Sequence, residues 1–412
     1  MNGTTVDRRP VAGTFYYGWV VLGIAALAMV GTLPGRTQGL GLITEPLLRD
    51  LGMHRVRFAQ INLVATLLGS GFCFGIGGLL DRHGSRIVLT SLALLLGGVV
   101  MALSSVESAV MLLVLITLTR GLGQSALSVV SLAMPGKWFR RRLTWAMGVY
   151  ALVMSLGFMM AFPAVGAIVL MRGWRFAWMS VGAALLFGLA PIAWLFVRPE
   201  PDTNDELEHL DQPTSRAIDS TFAAALQTPA FWVFGLASSL YGLVASGIGL
   251  FNESILAERG FPPEVYHRAL AVTAITGLLG NFLAGAWADR HSLRHVLIVA
   301  LMLLAGALVA LPHVSTTTDV MLQAVAVGLA GGFVMVVFFS FWAKAYGRTD
   351  LGRIQGVAQA LTVLASAVGP LLFAWCAEAT GSYVLAFYLL AITVTLVALA
   401  ALIVRIPASA EP

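Results

Sequence analysis

Two arginines of this chain stand inside long apolar stretches, where a charged side chain is costly. Arg36 lies in the first apolar run, and Arg120 lies near the middle of the run from residue 108 to residue 137. An arginine at the centre of a lipid bilayer costs roughly 2.5 to 3.5 kcal/mol on insertion scales, so it normally faces protein or water and has a partner. Both guanidinium groups are therefore candidates for charge-assisted hydrogen bonds to a small anion.

The polar residues that follow Arg120 recur at helical spacing. They stand at i, i+4, i+8 and i+11 in a run made up largely of Leu, Val, Ile and Ala, and they are Arg120, Gln124, Ser128 and Ser131. This spacing places the side chains on one face of a helix. We predict that Arg120, Gln124 and Ser128 line a cavity and bind substrate. For Arg120, proton coupling and helix packing are the alternatives.

The second half of the chain offers uncharged polar groups in its apolar runs. The candidates for substrate contact, each on a polar stripe of a predicted helix, are Tyr241, Asn252, Asn281 and Gln359. For Asn281 the alternative is a hydrogen bond between helices. One apolar run of this half ends in the aromatic residues Phe339, Phe341 and Trp342. Cationic and amide groups on one wall and aromatic groups on the other suit a small anion with an apolar body.

Three carboxyl groups near the ends of apolar runs are candidates for proton coupling: Glu45, Glu253 and Glu378. A carboxyl group whose pKa is raised in a partly dry cavity can carry a proton, and a place at the wet interface is the alternative. On a regular helix Glu45 would lie about half a turn from Arg36, at about 100° per residue, so we do not expect the two to pair directly.

The composition defines the class of protein. Hydrophobic residues make up 58% of the 412 residues and charged residues only 11%, whereas soluble domains use about a quarter charged residues. The chain is therefore predicted to be an all-α integral membrane protein. The two cysteines, Cys73 and Cys376, show no metal-ligand spacing, so we predict no metal and no cofactor. The net charge of +5 is explained by basic loops, without nucleic-acid binding.

Twelve apolar spans follow one another along the chain. Each has about the length, roughly 20 residues, that a helix needs to cross a bilayer. Their approximate bounds are 17–44, 57–80, 86–104, 108–137, 142–170, 174–196, 229–258, 264–287, 293–311, 317–346, 351–379 and 383–405. A polar, acidic stretch separates the two sets of six. We predict a six-helix bundle over residues 1–197, a linker over 198–222 and a second six-helix bundle over 223–412.

The basic residues predict how the chain lies in the membrane. Of the 25 Lys and Arg residues, sixteen fall on the side of the two termini and seven on the other side, with Arg36 and Arg120 inside the spans. Lys and Arg are enriched in cytoplasmic loops. The termini and the linker are therefore predicted to be cytoplasmic, in a multi-pass protein of the cell membrane. Residues 1–14 are polar and the first apolar run is too long for a signal peptide, so we expect the first helix to direct insertion.

One loop sequence occurs twice. Gly77, Asp81, Arg82 and Arg86 recur 208 positions later as Gly285, Asp289, Arg290 and Arg294, and the same shift relates Glu45 to Glu253 and Gly123 to Gly331. The two halves are therefore copies of one another. Many transporters are built from such duplicated halves, with the substrate site at the seam between them.

The repeated Gly-x-Leu-x-Asp-Arg-x-Gly-x-Arg stretch resembles the loop signature of the major facilitator superfamily. The resemblance implies twelve membrane helices in two six-helix bundles, with a central cavity that opens to one side at a time and is surrounded by helices 1, 4, 7 and 10. Charged groups at these helix ends can pair with neighbouring helix ends. The predicted gating residues, which would latch the side of the termini, are Asp81, Arg82, Arg86, Asp289 and Arg290.

A second pattern resembles the monocarboxylate porter branch of that family. It consists of Trp138-Phe139-Arg140-Arg141-Arg142-Leu143 with later glycines, and of Tyr17-Gly18-Trp19 at the start of span 1. Arg36 roughly occupies the place of a basic residue that those carriers use on helix 1. Helix 8 of many such porters carries an Asp and Arg pair, whereas residues 270–287 here hold no charge. Either Arg36 and Arg120 have taken over anion binding, or the substrate differs.

These patterns predict a secondary transporter, and not an enzyme, that moves a small organic anion, a monocarboxylate above all, together with a proton. Its expected partners are the anion, the proton and membrane lipid, and we expect a monomer. A proton-driven drug or metabolite exporter is the first alternative, because Gly148, Gly157, Pro163 and Pro370 resemble the glycine-proline pattern of antiporters. A non-transporting membrane sensor is the second alternative. It has little support, because the longest polar segment in the sequence is the short linker and not an added soluble domain.

Overall fold

The computed structural model describes residues 16–139, 143–198, 220–288, 291–346 and 351–406. Every regular element in these ranges is helical. Eleven helices in the described part of the chain are long and apolar enough to cross a membrane. The twelfth crossing is α2, which begins as Arg55–Ser70 and continues from Cys73 after a short interruption. The predicted class, an all-α membrane protein with twelve membrane helices, is confirmed.

The first half contains the helices α1 to α6. Helix α1 spans Gly18–Gly31, and α2 begins as Arg55–Ser70. Residues Cys73–Leu103 form one continuous helical stretch with a kink at Gly84, which separates the end of α2 from α3. Helix α4 consists of Ala109–Thr119, a π-helical stretch Arg120–Leu127 and Ser128–Trp138. Helix α5 spans Leu143–Arg172, and α6 runs from Trp174–Ala183 through a π-helical stretch to Ala190–Phe196.

The second half repeats this order. A short helix, Phe222–Gln227, precedes α7, which spans Pro229–Ala257. The remaining helices are α8 at Pro263–Ala288, α9 at Leu293–Ala310, α10 at Thr317–Tyr346, α11 at Leu351–Thr380 and α12 at Val384–Ile403. The predicted linker, 198–222, lies largely outside the described residues.

The first predicted span, 17–44, is not one regular helix. After α1 the chain forms a 3-10 turn at Leu33–Gly35 and two short helices at Thr37–Gly41 and Thr44–Leu51. Gly35 lies against the backbone of α4, where an added Cβ would be 2.6 Å from the carbonyl oxygen of Thr119. The break therefore allows a close approach of two backbones that a larger residue would prevent.

The loop between α2 and α3 is replaced by a single kinked residue. Gly84 has a φ of 74° and a ψ of 162°, a combination that a residue with a side chain rarely adopts. Its mate in the second half, Ser292, instead has a φ of −60° and caps α9, accepting a hydrogen bond from the backbone of Arg294. The two copies of the loop thus turn the chain by different local means.

The two halves meet through a small set of helices. Helix α5 packs against α8, α2 against α11, and the short helix Thr37–Gly41 against α7. Where individual residues are seen to touch across the halves, they lie on the side of the membrane opposite residues 16 and 406. We call this the outer side from here on.

Candidate functional site

Arg120 is fully enclosed by protein. Its side chain is only 3% exposed, and Nη1 donates to the carbonyl oxygen of Gly35 at 3.1 Å, Oγ1 of Thr37 at 2.9 Å and Oε1 of Gln124 at 2.7 Å. Its Nη2 donates to Oδ1 of Asn62 at 2.6 Å. These acceptors lie on the broken end of α1, on α2 and on α4 itself. The arginine thereby ties three elements together.

Arg36 is placed differently, at the residue where the 3-10 turn meets the next short helix. Its Nε donates to Oγ1 of Thr32 at 2.7 Å, and its Nη2 donates to Sδ of Met29 at 2.8 Å. The guanidinium carbon lies 5.0 Å from the ring centroid of Phe158 on α5. In the described part of the chain it has no carboxylate partner. Glu45 pairs with Arg55 instead.

The polar face of α4 is only partly free. Gln124 is exposed at the middle of a membrane helix, which is typical of a side chain that faces a water-filled cavity. Ser128 contacts the carbonyl oxygen of Gly123 at 3.4 Å. Ser131 is buried, donates to the carbonyl oxygen of Ala25 at 2.6 Å and lies 2.7 Å from the hydroxyl of Tyr150. The face therefore divides into an open part at Gln124 and a packed part at Ser131.

The predicted contacts of the second half lie on three different helices. Tyr241 packs its hydroxyl against Gly331 of α10, where an added Cβ would be 2.0 Å away. Asn252 is partly buried near the outer end of α7, and Gln359 is exposed on α11. Asn281 lies where α8 touches α10, and its Oδ1 is buried without a hydrogen-bond partner among the described residues. Substrate contact by these four remains a prediction.

The three predicted coupling carboxyls have three different surroundings. Glu45 is 8% exposed and accepts two hydrogen bonds from Arg55, at 2.8 Å and 3.1 Å. Glu253 is partly buried and forms neither a hydrogen bond nor an ion pair with the described residues. Glu378 is exposed at the end of α11. Of the three, Glu253 is therefore the carboxyl group that is partly buried and has no hydrogen-bond or ion-pair partner among the described residues.

The sequence did not predict the contacts that close the outer side. The hydroxyl of Tyr266 on α8 donates to the carbonyl oxygen of Gln38 at 3.2 Å and lies 3.4 Å from that of Gly249. Gly41 and Gly249 touch, and the ring of His267 fills the space above Gly166 of α5. These residues join α1, α5, α7 and α8 across the two halves.

The predicted gating residues are described only in part. Arg82 is exposed, and the guanidinium carbon of Arg86 lies 4.3 Å from the ring centroid of Trp194 on α6. Nothing is described of the Asp81 side chain, and Asp289 and Arg290 lie outside the described residues. Arg86 and its mate Arg294 both reach the last helix of their own half, since Arg294 donates to the carbonyl oxygens of Leu402 and Val404 at 3.2 Å and 2.8 Å.

Twelve membrane helices in two bundles, with two arginines held inside the first bundle beside a broken first span, define a carrier fold. The sequence profile of the Major Facilitator Superfamily matches residues 11–262 and 234–412, and the chain belongs to this family. No curated protein matches it in sequence.

Solved structures are similar in fold. A bacterial homologue of the human lysosomal transporter Spinster, in an inward-facing and occupied conformation, shares 14% identity with a TM-score of 0.73, over 95% of this chain and 98% of its own. The same homologue in an unoccupied inward-facing conformation gives 15% identity and a TM-score of 0.73, over 94% and 96% of the two chains. A mutant of the nucleoside transporter NupG shares 14% identity with a TM-score of 0.73, over 93% of this chain and 99% of its own.

Proposed function

We propose that this carrier moves a small organic anion, a monocarboxylate above all, across the cell membrane by alternating access and together with a proton. The proposal rests chiefly on Arg36, a cation inside the membrane that has no carboxylate partner in the described chain. We further propose that the protein works as a monomer with both termini in the cytoplasm, as its basic loop residues favour.

Arg36 keeps part of its guanidinium group free. Its Nε and Nη2 each donate one bond within the protein, to Thr32 and Met29, whereas Nη1 donates to no described residue. A guanidinium group carries five N–H donors in a fixed planar fork. The protein thus uses one edge of this fork, and the end formed by Nη1 and Nη2 retains donors for a carboxylate, which is the geometry of the strongest arginine contacts.

The wall beside Arg36 suits the apolar part of such an anion. Phe158 lies against the guanidinium group and stacks with Phe162 at a centroid distance of 5.4 Å. Aromatic walls with a few converging polar groups are typical of sites for small organic molecules. An anion with a short hydrocarbon body would place its charge on Arg36 and its body on these rings.

The test is uptake into liposomes by the purified protein, with a panel of labelled monocarboxylates and with or without an inward proton gradient. We expect gradient-stimulated uptake of at least one acid, which Arg36→Ala abolishes. Arg36→Lys should raise KM by about tenfold or more, because an ammonium group cannot form the paired contact. Arg172→Ala, at the outer end of α5 beside Phe176, serves as the control and should transport normally. Normal uptake by Arg36→Ala would remove this residue from the site.

Export of a lipophilic compound is the second candidate. The observation that favours it is the pair of prolines inside helices at the interface of the halves, Pro163 in α5 and Pro370 in α11. The same liposomes distinguish the two functions. Movement of lipophilic cations against the proton gradient, without uptake of any acid, would support export and leave Arg36 with a structural role.

A further inference from the structure

The outer side is closed where two broken helices touch backbone to backbone. Gly41 and Gly249 are mates in the internal repeat, and a Cβ added to Gly41 would lie 2.1 Å from the carbonyl oxygen of Gly249. Helix α7 is also irregular here, since Phe251 has a φ of −113° and a ψ of 15°. Beside this contact, the hydroxyl of Tyr266 donates a hydrogen bond to the carbonyl oxygen of Gln38. We call the contact between Gly41 and Gly249 the outer gate.

The two glycines are not equivalent in this gate. A Cβ added to Gly249 would have as its nearest neighbour the Cγ atom of Gln38, at 3.4 Å, which is an ordinary van der Waals separation. A Cβ added to Gly41 meets a main-chain oxygen that cannot move without shifting α7. The close approach therefore requires glycine at position 41 and tolerates alanine at position 249.

Two carboxyl groups stand just beyond this gate, on the two segments that it joins. Glu45 and Glu253 each stand four residues beyond their gate glycine, so the contact between the glycines places both carboxyl groups in one region, where like charges oppose one another. Arg55 forms its ion pair with Glu45. Glu253 is left without an ion pair or a hydrogen bond to the described residues. The other titratable or charged groups that face it are Arg49, which is exposed, and the hydroxyl of Tyr266.

The charge balance of the closed gate disfavours a second carboxylate. Burial penalises an ionised carboxyl group, and a like charge nearby penalises it further. Exposed Arg49 offsets little of this, because solvent screens a surface charge. In an open gate Glu253 would be hydrated and farther from Glu45, so both penalties would fall.

We propose that Glu253 takes up a proton from the outer solution when the outer gate closes, so that the gate shuts around a neutral carboxylic acid and opens around a carboxylate. The step is a single protonation of one carboxylate oxygen. It rests on the proposed proton coupling, and it assigns the coupled group and the movement that the proton controls. Glu45 keeps its ion pair with Arg55 in this step.

The test measures the gate directly, without substrate. Spin labels at Met171→Cys, on the outer end of α5, and Arg259→Cys, between α7 and α8, report the distance between the halves in a Cys73→Ser, Cys376→Ala background. Both label positions are exposed. Distances are compared at about pH 5.5 and about pH 8.5, on either side of the range in which a buried carboxyl group titrates. We expect the long-distance population to grow at high pH in the parent protein and to be lost at both pH values in Glu253→Gln.

Two glycine variants provide the matched control. Gly41→Ala should hold the gate open at both pH values, while Gly249→Ala should respond to pH as the parent protein does. Gel filtration checks that each variant is folded. A parent protein whose distances do not change with pH, or a Glu253→Gln protein that keeps the full response, would overturn the proposal. Because no anion is present, these outcomes do not depend on whether Arg36 binds a monocarboxylate. If the gate responds to pH but no acid is taken up into liposomes, only the proposed substrate is contradicted.

Discussion

At the scale of single residues, the two arginines inside the membrane have different roles. Arg120 has four acceptors and is almost fully buried, whereas Arg36 donates two bonds and has one terminal nitrogen without an acceptor among the described residues. The sequence places both in the membrane but does not separate these roles. A signal was present, because Asn62 is an amide inside the second apolar span and could have been recognised as a partner for Arg120.

Asn62 provides a test of the role of Arg120. Asn62→Ala removes the acceptor of Nη2 and leaves a buried charged donor unsatisfied, which costs about 1 to 3 kcal/mol or more. We expect a lower melting temperature in detergent, measured by following the intrinsic fluorescence of the protein as it is heated. Gln60→Ala changes an exposed amide on the same helix and is the control. Equal melting temperatures for Asn62→Ala and the parent protein would show that the network does not stabilise the fold.

At the scale of helices, the repeated pairs α2 with α4 and α8 with α10 pack closely by different means. Gly69 lies against Arg120, where its Cβ would be 2.7 Å from that of the arginine. The repeat mates are Gly277 and Gly328, and with Gly332 they bring α8 and α10 together backbone to backbone. Small residues at such contacts are typical of membrane helices, because packing replaces the hydrophobic effect there.

The glycine contact between α8 and α10 is sensitive to one added methyl group. A Cβ at Gly332 would lie 2.3 Å from the carbonyl oxygen of Gly277. Overpacking of this kind costs typically about 1 to 3 kcal/mol, so we expect Gly332→Ala to lower the melting temperature. At Gly306, on α9, an added Cβ meets no atom within 4 Å, and Gly306→Ala should be neutral or stabilising, since alanine favours a helix. The opposite ranking of the two variants would refute the contact.

At the scale of the whole molecule, hydropathy and the 208-residue repeat predict the twelve crossings and the two bundles. They do not predict which residues meet between the halves. Tyr266 and Gln38 are 228 residues apart, and their contact depends on how two separately folded bundles dock. The pairing of Glu45 with Arg55 was missed for a related reason, because it requires the chain to turn back between α1 and α2. Periodicity within one helix carries no information on such contacts.

Tyr266 tests the docking of the halves. Tyr266→Phe removes the hydroxyl that reaches the carbonyl of Gln38 while keeping the ring, at a cost of about 1 kcal/mol for a neutral hydrogen bond. We expect faster labelling of a cysteine placed at Gln38 by a membrane-impermeant reagent added to the outer side. Tyr388→Phe removes a hydroxyl that lies 3.0 Å from Nε2 of His313 within one half, and it should leave the labelling rate unchanged. No increase with Tyr266→Phe would show that this bond does not hold the outer side closed.

The contrast between Arg120 and Gly328 also has an evolutionary consequence. One copy of this helix contact holds an arginine with partners on three elements, and the other holds glycines whose contacts are made by the backbone. Replacing Arg120 by glycine would strand Asn62 and Thr37 in the interior, and replacing Gly328 by arginine would find no room, since even a Cβ there would be 2.0 Å from Oγ1 of Thr276. Neither copy can therefore adopt the packing of the other by a single substitution.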